Sequence, residues 1–326
     1  MKILMKITFL AIAAVFFWQC STDKTEQLSS EMTTELSRMP LQDEMALGFA
    51  NLAELRESSM FAEIRDSIFT KMDRENEFRD FLTETQFDVR KDVDNVYVSI
   101  MPQVHKEPKM LVVAVGNFNA ERLSEFIREK DSEDRLTETT VGNHKLFLMA
   151  ERQKALCFAD ANHVVFGNED LVKEWLNLAK NPDPARKDAI ANRLANVKYK
   201  SGMWMTANAQ SMIDEMMDNM PENLPEERLR TLFSVDQVAF SAAIDQSMSI
   251  DGVGFFKNNQ DAELVRDMAK GALAGFKLSL DGNREAIDVI NKIDITTENG
   301  SVRMNAKFTQ NDIQTLAKQR QRYALH

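Results

Sequence analysis

The chain has 326 residues, 44% of them hydrophobic, and a formal net charge of -11. That length suits one large domain or two small ones. The acidic excess argues against binding nucleic acid, or any other polyanion, through a whole-protein field.

The first element is a leader. Lys2 and Lys6 give it a positive start, and Ile7 to Trp18 form a nearly unbroken apolar run. This run is shorter than the roughly 20 residues a membrane-spanning helix needs, but it suits a secretory signal. Cys20 follows, then the polar Ser21-Thr22-Asp23-Lys24. A cysteine in this place resembles the cleavage and lipidation site of bacterial lipoproteins. The resemblance implies a signal peptide over residues 1–19 and a mature chain that begins at an acylated Cys20. It also implies the cell envelope of a Gram-negative bacterium, and Ser21 rather than Asp after the cysteine implies the outer membrane. Phe17-Trp18-Gln19 is bulkier than the family pattern, which leaves an uncleaved N-terminal anchor as the alternative. Either route tethers the chain to a membrane.

Residues 20–39 are rich in Ser, Thr, Glu and Lys without apolar periodicity, and they are expected to form a flexible tether. Beyond them the pattern predicts an α+β fold of two related units, 40–184 and 185–326, each an antiparallel sheet with helices packed on one face. The break is placed at Asn181-Pro182-Asp183-Pro184. In the first unit, a short strand over Met45–Asn51 leads into a helical stretch around Leu52 to Met72. A strand pair follows, Asn95–Met101 with Met110–Gly116. Asn119 then caps a helix carrying Leu123, Phe126 and Ile127, and Val164-Val165-Phe166 closes the unit with a further helix from Asp170.

The second unit offers the same order. A strand over Gly202–Asn208 precedes a helix around Gln210–Met220, and Gln237–Asp245 pairs with Ser249–Phe256. Asn259 is expected to cap a helix whose apolar residues are Leu264, Val265 and Met268. Asn299-Gly300 suits a tight hairpin turn. In the last strand, Val302, Met304, Ala306 and Phe308 alternate inward, and Asp312-Ile313 matches Asp170-Leu171.

Little in the chain points to chemistry. With Cys20 lipidated, Cys157 has no partner; it reads as a small buried hydrophobe, and a hairpin around Glu151-Arg152-Gln153 is expected to set it opposite Phe147. His105, His144, His163 and His326 form no metal-binding pair, and no hydrolase or phosphate-loop motif occurs. Asp88, Asp92 and Asp94 lack the spacing of a calcium loop and read as a capped turn entering a strand. This segment, with the strand-then-helix units around it, resembles poorly characterised duplicated lipoproteins of Gram-negative bacteria, a resemblance that implies no particular activity. The methionines are unusual. Met203 and Met205 share a strand face, and Met212, Met216 and Met220 follow helical spacing; thioethers fill irregular cores and line adaptable apolar surfaces.

These observations lead to the expectation of a non-enzymatic, membrane-anchored envelope protein that acts by binding or assembly, with no cofactor or metal. Its partners would be the membrane, through the lipid on Cys20, and an envelope protein or hydrophobic ligand. The alternative is a carrier or sensor of hydrophobic molecules that uses Met203, Met205, Met212, Met216 and Met220 as a groove.

Overall fold

A computed structural model describes residues 28–42, 45–62, 76–103, 106–130, 136–149, 153–209, 234–280 and 282–323. Two compact units divide between Ala195 and Asn196, and both are α+β with an antiparallel sheet. The first contains α1 (Ser30–Arg38), β1 (Ala46–Asn51), α2 (Leu52–Glu57), α3 (Asn76–Thr85), the single turn α4 (Val89–Asp92), β2 (Val93–Met101), β3 (Lys109–Gly116), α5 (Ala120–Lys130), β4 (Leu136–Val141), β5 (His144–Met149), β6 (Lys154–Phe158), β7 (His163–Asn168), α6 (Glu169–Lys180) and α7 (Arg186–Arg193). The second contains β8 (Met203–Asn208), β9 (Val235–Ile244), β10 (Ser247–Phe256), α8 (Asn259–Ser279), α9 (Arg284–Ile290), β11 (Asp294–Glu298), β12 (Ser301–Thr309) and α10 (Gln310–Tyr323).

The two units share an order of strand pairing. In the first unit the order is β1-β2-β3-β7-β6-β5-β4, antiparallel throughout. In the second it is β8-β9-β10-β12-β11. Strands β1, β2, β3, β7 and β6 therefore correspond to β8, β9, β10, β12 and β11, and the β4–β5 hairpin is an addition to the first unit. A helix follows the third strand in both (α5, α8), and another follows the last (α6, α10). Asn299 and Gly300 turn the β11–β12 hairpin at φ 49° and 75°, the positive-φ pair a two-residue turn demands.

Several local expectations are corrected. Residues 30–38 are helix rather than tether: Ser29 caps α1 by accepting from the Met32 N–H, and Leu36 and Met39 are wholly buried. The unit boundary lies beyond Pro184, because the Arg186 guanidinium donates to the Ser37 and Met39 carbonyls and holds α7 in the first unit. The cap of α8 is Asn258, which accepts from the Asp261 N–H at 2.8 Å, so Asn259 is already helical. The face of α8 differs as well. Leu264 and Met268 are exposed, and Ala262 is buried in their stead.

Strand alternation decides which helix lies where in the first unit. Val96 and Val98 project to one face, Tyr97 and Ser99 to the other. The expected helical layer on one face is α3 and α5, whose Phe81 and Leu123 pack with Val96, Val98 and Val112. A second layer on the opposite face comes from α6, which touches β3, β6 and β7 and carries α1 on its flank.

The contact of α1 with that layer is polar. His163 Nε2 lies 3.3 Å from Glu35 Oε2 and His163 Nδ1 lies 2.8 Å from Asp160 Oδ1, while Arg38 Nη1 reaches Glu35 Oε1 at 2.8 Å. Both the imidazole and the Arg38 guanidinium lie 5.8 Å from the Trp175 ring. The hydrogen bond to Glu35, aided by Asp160, raises the His163 pKa against the opposing effect of burial. Burial alone would raise Asp160, but hydrogen bonds from His163 and the Asn162 N–H outweigh it and hold Asp160 below the usual carboxylate range. Burial and then the Glu35 and Glu31 charges push Tyr97 above its ordinary range.

Two predictions follow from this framework. A Cβ on Gly167 would sit 2.2 Å from the Met110 carbonyl oxygen and 2.8 Å from Leu111 Cα, whereas one on Gly271 in α8 would meet nothing within 4 Å. Gly167→Ala should therefore destabilise by about 1–3 kcal/mol, and Gly271→Ala should stabilise by up to about 1 kcal/mol. Urea denaturation measures both signs. The second prediction concerns pH. The raised His163 pKa contributes stability in full below its unfolded value of 6.5 and loses it as pH rises through the folded value. The lowered Asp160 pKa contributes above 3.8 and loses it as pH falls through the folded value. The stability gap between the wild type and His163→Gln should thus be widest near pH ~5 and shrink as pH rises through the raised folded value; denaturation midpoints across that range test it.

Candidate functional site

Sheet register builds an apolar wall in the first unit. Val96 pairs with Ala114, Ala114 with Val164, and Val164 with Phe158, so these four side chains share one face. One step along the ladder, Val98, Val112, Phe166 and Leu156 form a parallel row. Helices α3 and α5 close over this wall with aromatic contacts. Phe81 meets Phe126 edge-on at 5.3 Å, and Phe87 lies 5.4 Å from Phe118.

The chain enters β2 through a firmly capped turn. Asp88 accepts from the Arg90 N–H and is paired with the Arg90 guanidinium at 2.7 Å, and Asp92 accepts from the Asp88 N–H. Arg56 fixes the start of β2 by donating to the Val93 carbonyl and to Asp94, both at 2.5 Å. These acidic residues act as caps and ion-pair partners, and the turn delivers Phe87 and Val89 to the edge of the helical layer.

Wall and helices do not meet everywhere. A cavity of about 130 Å³ remains between them, lined by fifteen residues, all of them apolar, from Leu52 to Phe166. Ala114 lies in the middle of the wall among larger neighbours, and its short side chain helps leave the space open. An engineered apolar cavity of ~150 Å³ stays dry and binds benzene, so this space suits one small ring or a short alkyl segment rather than a whole lipid. The lining supplies no titratable group, nucleophile or metal ligand. What it can do chemically is desolvate and hold an apolar group.

The residues singled out from sequence are dispersed. Met203 is buried opposite Ala242, and Met205 is half-buried opposite Phe240, both on one face of β8 as expected. Met212, Met216 and Met220 lie outside the described residues, as do Cys20, His105 and His326. Cys157 is wholly buried, and burial pushes its thiol up to about 12. It pairs with Leu146 and not with Phe147; the β5–β6 register is one residue from the expected one and puts these two side chains on opposite faces. Among the described residues, no cluster of three or more His, Cys, Asp or Glu could hold a metal ion. Sequence reading missed both the cavity and the Glu35–His163–Asp160 cluster. The alternation of Val and Phe in β2, β3, β6 and β7 was the available signal for the first; the second joins residues too distant in sequence to leave one.

No protein-family profile matches the chain, and no curated protein does. Among solved structures, crystal form I of TP0453 is similar over 86% of this chain and 95% of that one, at 10% identity and a TM-score of 0.43.

The cavity makes a direct prediction. Benzene should raise the thermal midpoint of the wild type in a concentration-dependent way, and Ala114→Phe, which fills the space, should abolish the shift while keeping the far-ultraviolet circular dichroism. An identical shift in both proteins would show that benzene binds elsewhere.

Proposed function

We propose that this chain is a membrane-anchored envelope protein that acts by binding rather than by catalysis, and that its first unit receives a small apolar group. The observation that carries the reading is the composition of the cavity: fifteen apolar lining residues and no polar side chain. Such a lining gives affinity through desolvation and dispersion, with shape setting the selectivity. It offers no acid, base or nucleophile from which a reaction could be built. The membrane anchor is the lipid on Cys20 implied by the leader. The chain would thus present a greasy pocket at the membrane, where apolar molecules are concentrated.

Two measurements test this. Native mass spectrometry of the chain beginning at Ser21 should find a small apolar adduct that is absent from Ala114→Phe; a wild-type protein that is empty and stays empty when offered short-chain hydrocarbons would sink the binding reading. Cys20→Ala should abolish incorporation of labelled fatty acid, and equal labelling of wild type and variant would remove the anchor.

A further inference from the structure

Two properties of the cavity in the first unit restrict what it can hold. Its lining residues are all apolar, and the space is partly open to solvent. The lining is graded. Phe81, Val112 and Leu123 are buried, whereas Phe158, Val164 and Phe166, on β6 and β7, keep part of their surface accessible. A sealed apolar space would match a wholly apolar molecule. This one would leave part of such a molecule in water. A hydroxyl or carboxylate drawn inside would find no side-chain hydrogen-bond partner, and burying it unpaired is costly. A molecule with one hydrocarbon end and one polar end meets both conditions.

Volume sets the length of the hydrocarbon end. An engineered cavity of ~150 Å³ holds benzene, so a space of about 130 Å³ takes about six carbons. Charge does not select the head. Arg128 lies 5.5 Å from the Phe147 ring, which is 6.3 Å from Phe158, but its guanidinium is paired with Glu138. Lys130 lies 5.2 Å from the Phe126 ring and is paired with Glu84 at 3.2 Å. Neither cation is left over for an anionic head. We propose that the first unit binds the hydrocarbon end of a monomeric amphiphile, about six carbons deep, and leaves the polar head outside in water. This rests on the reading of the first unit as a binder of apolar groups, and it names the class of ligand. A bilayer phospholipid keeps its chain ends at the membrane centre, so the amphiphile is one that is free in solution.

The test uses the chain beginning at Ser21, which keeps every described element. Straight-chain primary alcohols from butanol to decanol are titrated in turn and followed through the methyl NMR signals of Val112 and Val164. Affinity should rise about fourfold with each added carbon, the worth of one buried methylene, and level off near hexanol. Ala114→Phe should lose this profile, and the wild-type profile decides the matter by itself if that variant does not fold. A rise that continues to decanol, or no dependence on chain length, would overturn the claim. If benzene binds and no alcohol does, the space excludes a headed ligand; the amphiphile claim then falls and the apolar-binding reading stands. If neither binds, both fall. Vesicles of phosphatidylcholine alone should leave the thermal midpoint unchanged, and a shift that Ala114→Phe removes would overturn the claim in favour of a membrane lipid.

Discussion

A sheet that is apolar on both faces has to be covered twice, and the first unit is organised by that requirement. Adjacent residues in a strand point to opposite sides, yet β2 and β3 offer no polar side to water: Val96, Tyr97 and Val98 are buried in succession, as are Leu111, Val112 and Val113. Helices α3 and α5 answer one face, and α6 with α1 the other. This explains why the polar-looking segment 30–38 is fixed as a helix. Leu36 and Met39 supply the burial, and the ion pairs of Glu35 and Arg38 satisfy the charges that come with them. It also explains Gly167, where β7 approaches the β3 backbone closely enough to leave no room for a side chain.

The second unit shares the topology and departs in its chemistry. On β10, Asp251 is buried to 3% exposure between Lys198 at 2.7 Å and Arg303 at 2.8 Å. The carboxylate is tolerable there because two cations and their hydrogen bonds replace its hydration, and losing either would leave charge uncompensated in a poor solvent. A similar device closes the last strand, where Asp312 accepts from the Thr309 N–H and the Lys292 ammonium. The two units therefore share a strand order while their side chains differ. The clearest divergence is between α5, which presses its large residues onto the sheet, and α8, which presents them to the outside.

How much of this was legible in the sequence depends on the range of the interaction. The strands were legible because alternation is local: Val302, Met304, Ala306 and Phe308 declare a face without reference to any other segment. The Asn299-Gly300 turn was legible because only certain residues accept positive φ at both positions. Helix α1 was not, since its helicity rests on contacts with His163 and Arg186, more than a hundred residues away. The face of α8 was misread for a related reason. Leu264, Val265 and Met268 are the greasiest residues nearby, but Ala262 is the one buried, and further along Leu273 packs with Leu280, Ala286 and Ile290. The β5–β6 register slipped by one because the turn sets the pairing, and a one-residue change reverses every side chain across the sheet.

The cavity was the least legible feature, because a void is defined by atoms that are absent. Its energetics nevertheless bear on its use. At ~24 cal/mol per Å³, a sealed dry cavity of 130 Å³ costs about 3 kcal/mol relative to a filled one, an upper bound here because the space is partly open to solvent. That is a large share of the ~5–15 kcal/mol by which a folded domain is stable. Interiors are normally packed with few voids larger than a water molecule, and water gains little here because the lining offers it no hydrogen bonds. Two changes relieve the cost: a larger side chain at a position such as Ala114, or an apolar group supplied from outside. The chain has alanine at that position, and an apolar group placed in the space would gain the contacts the lining otherwise lacks.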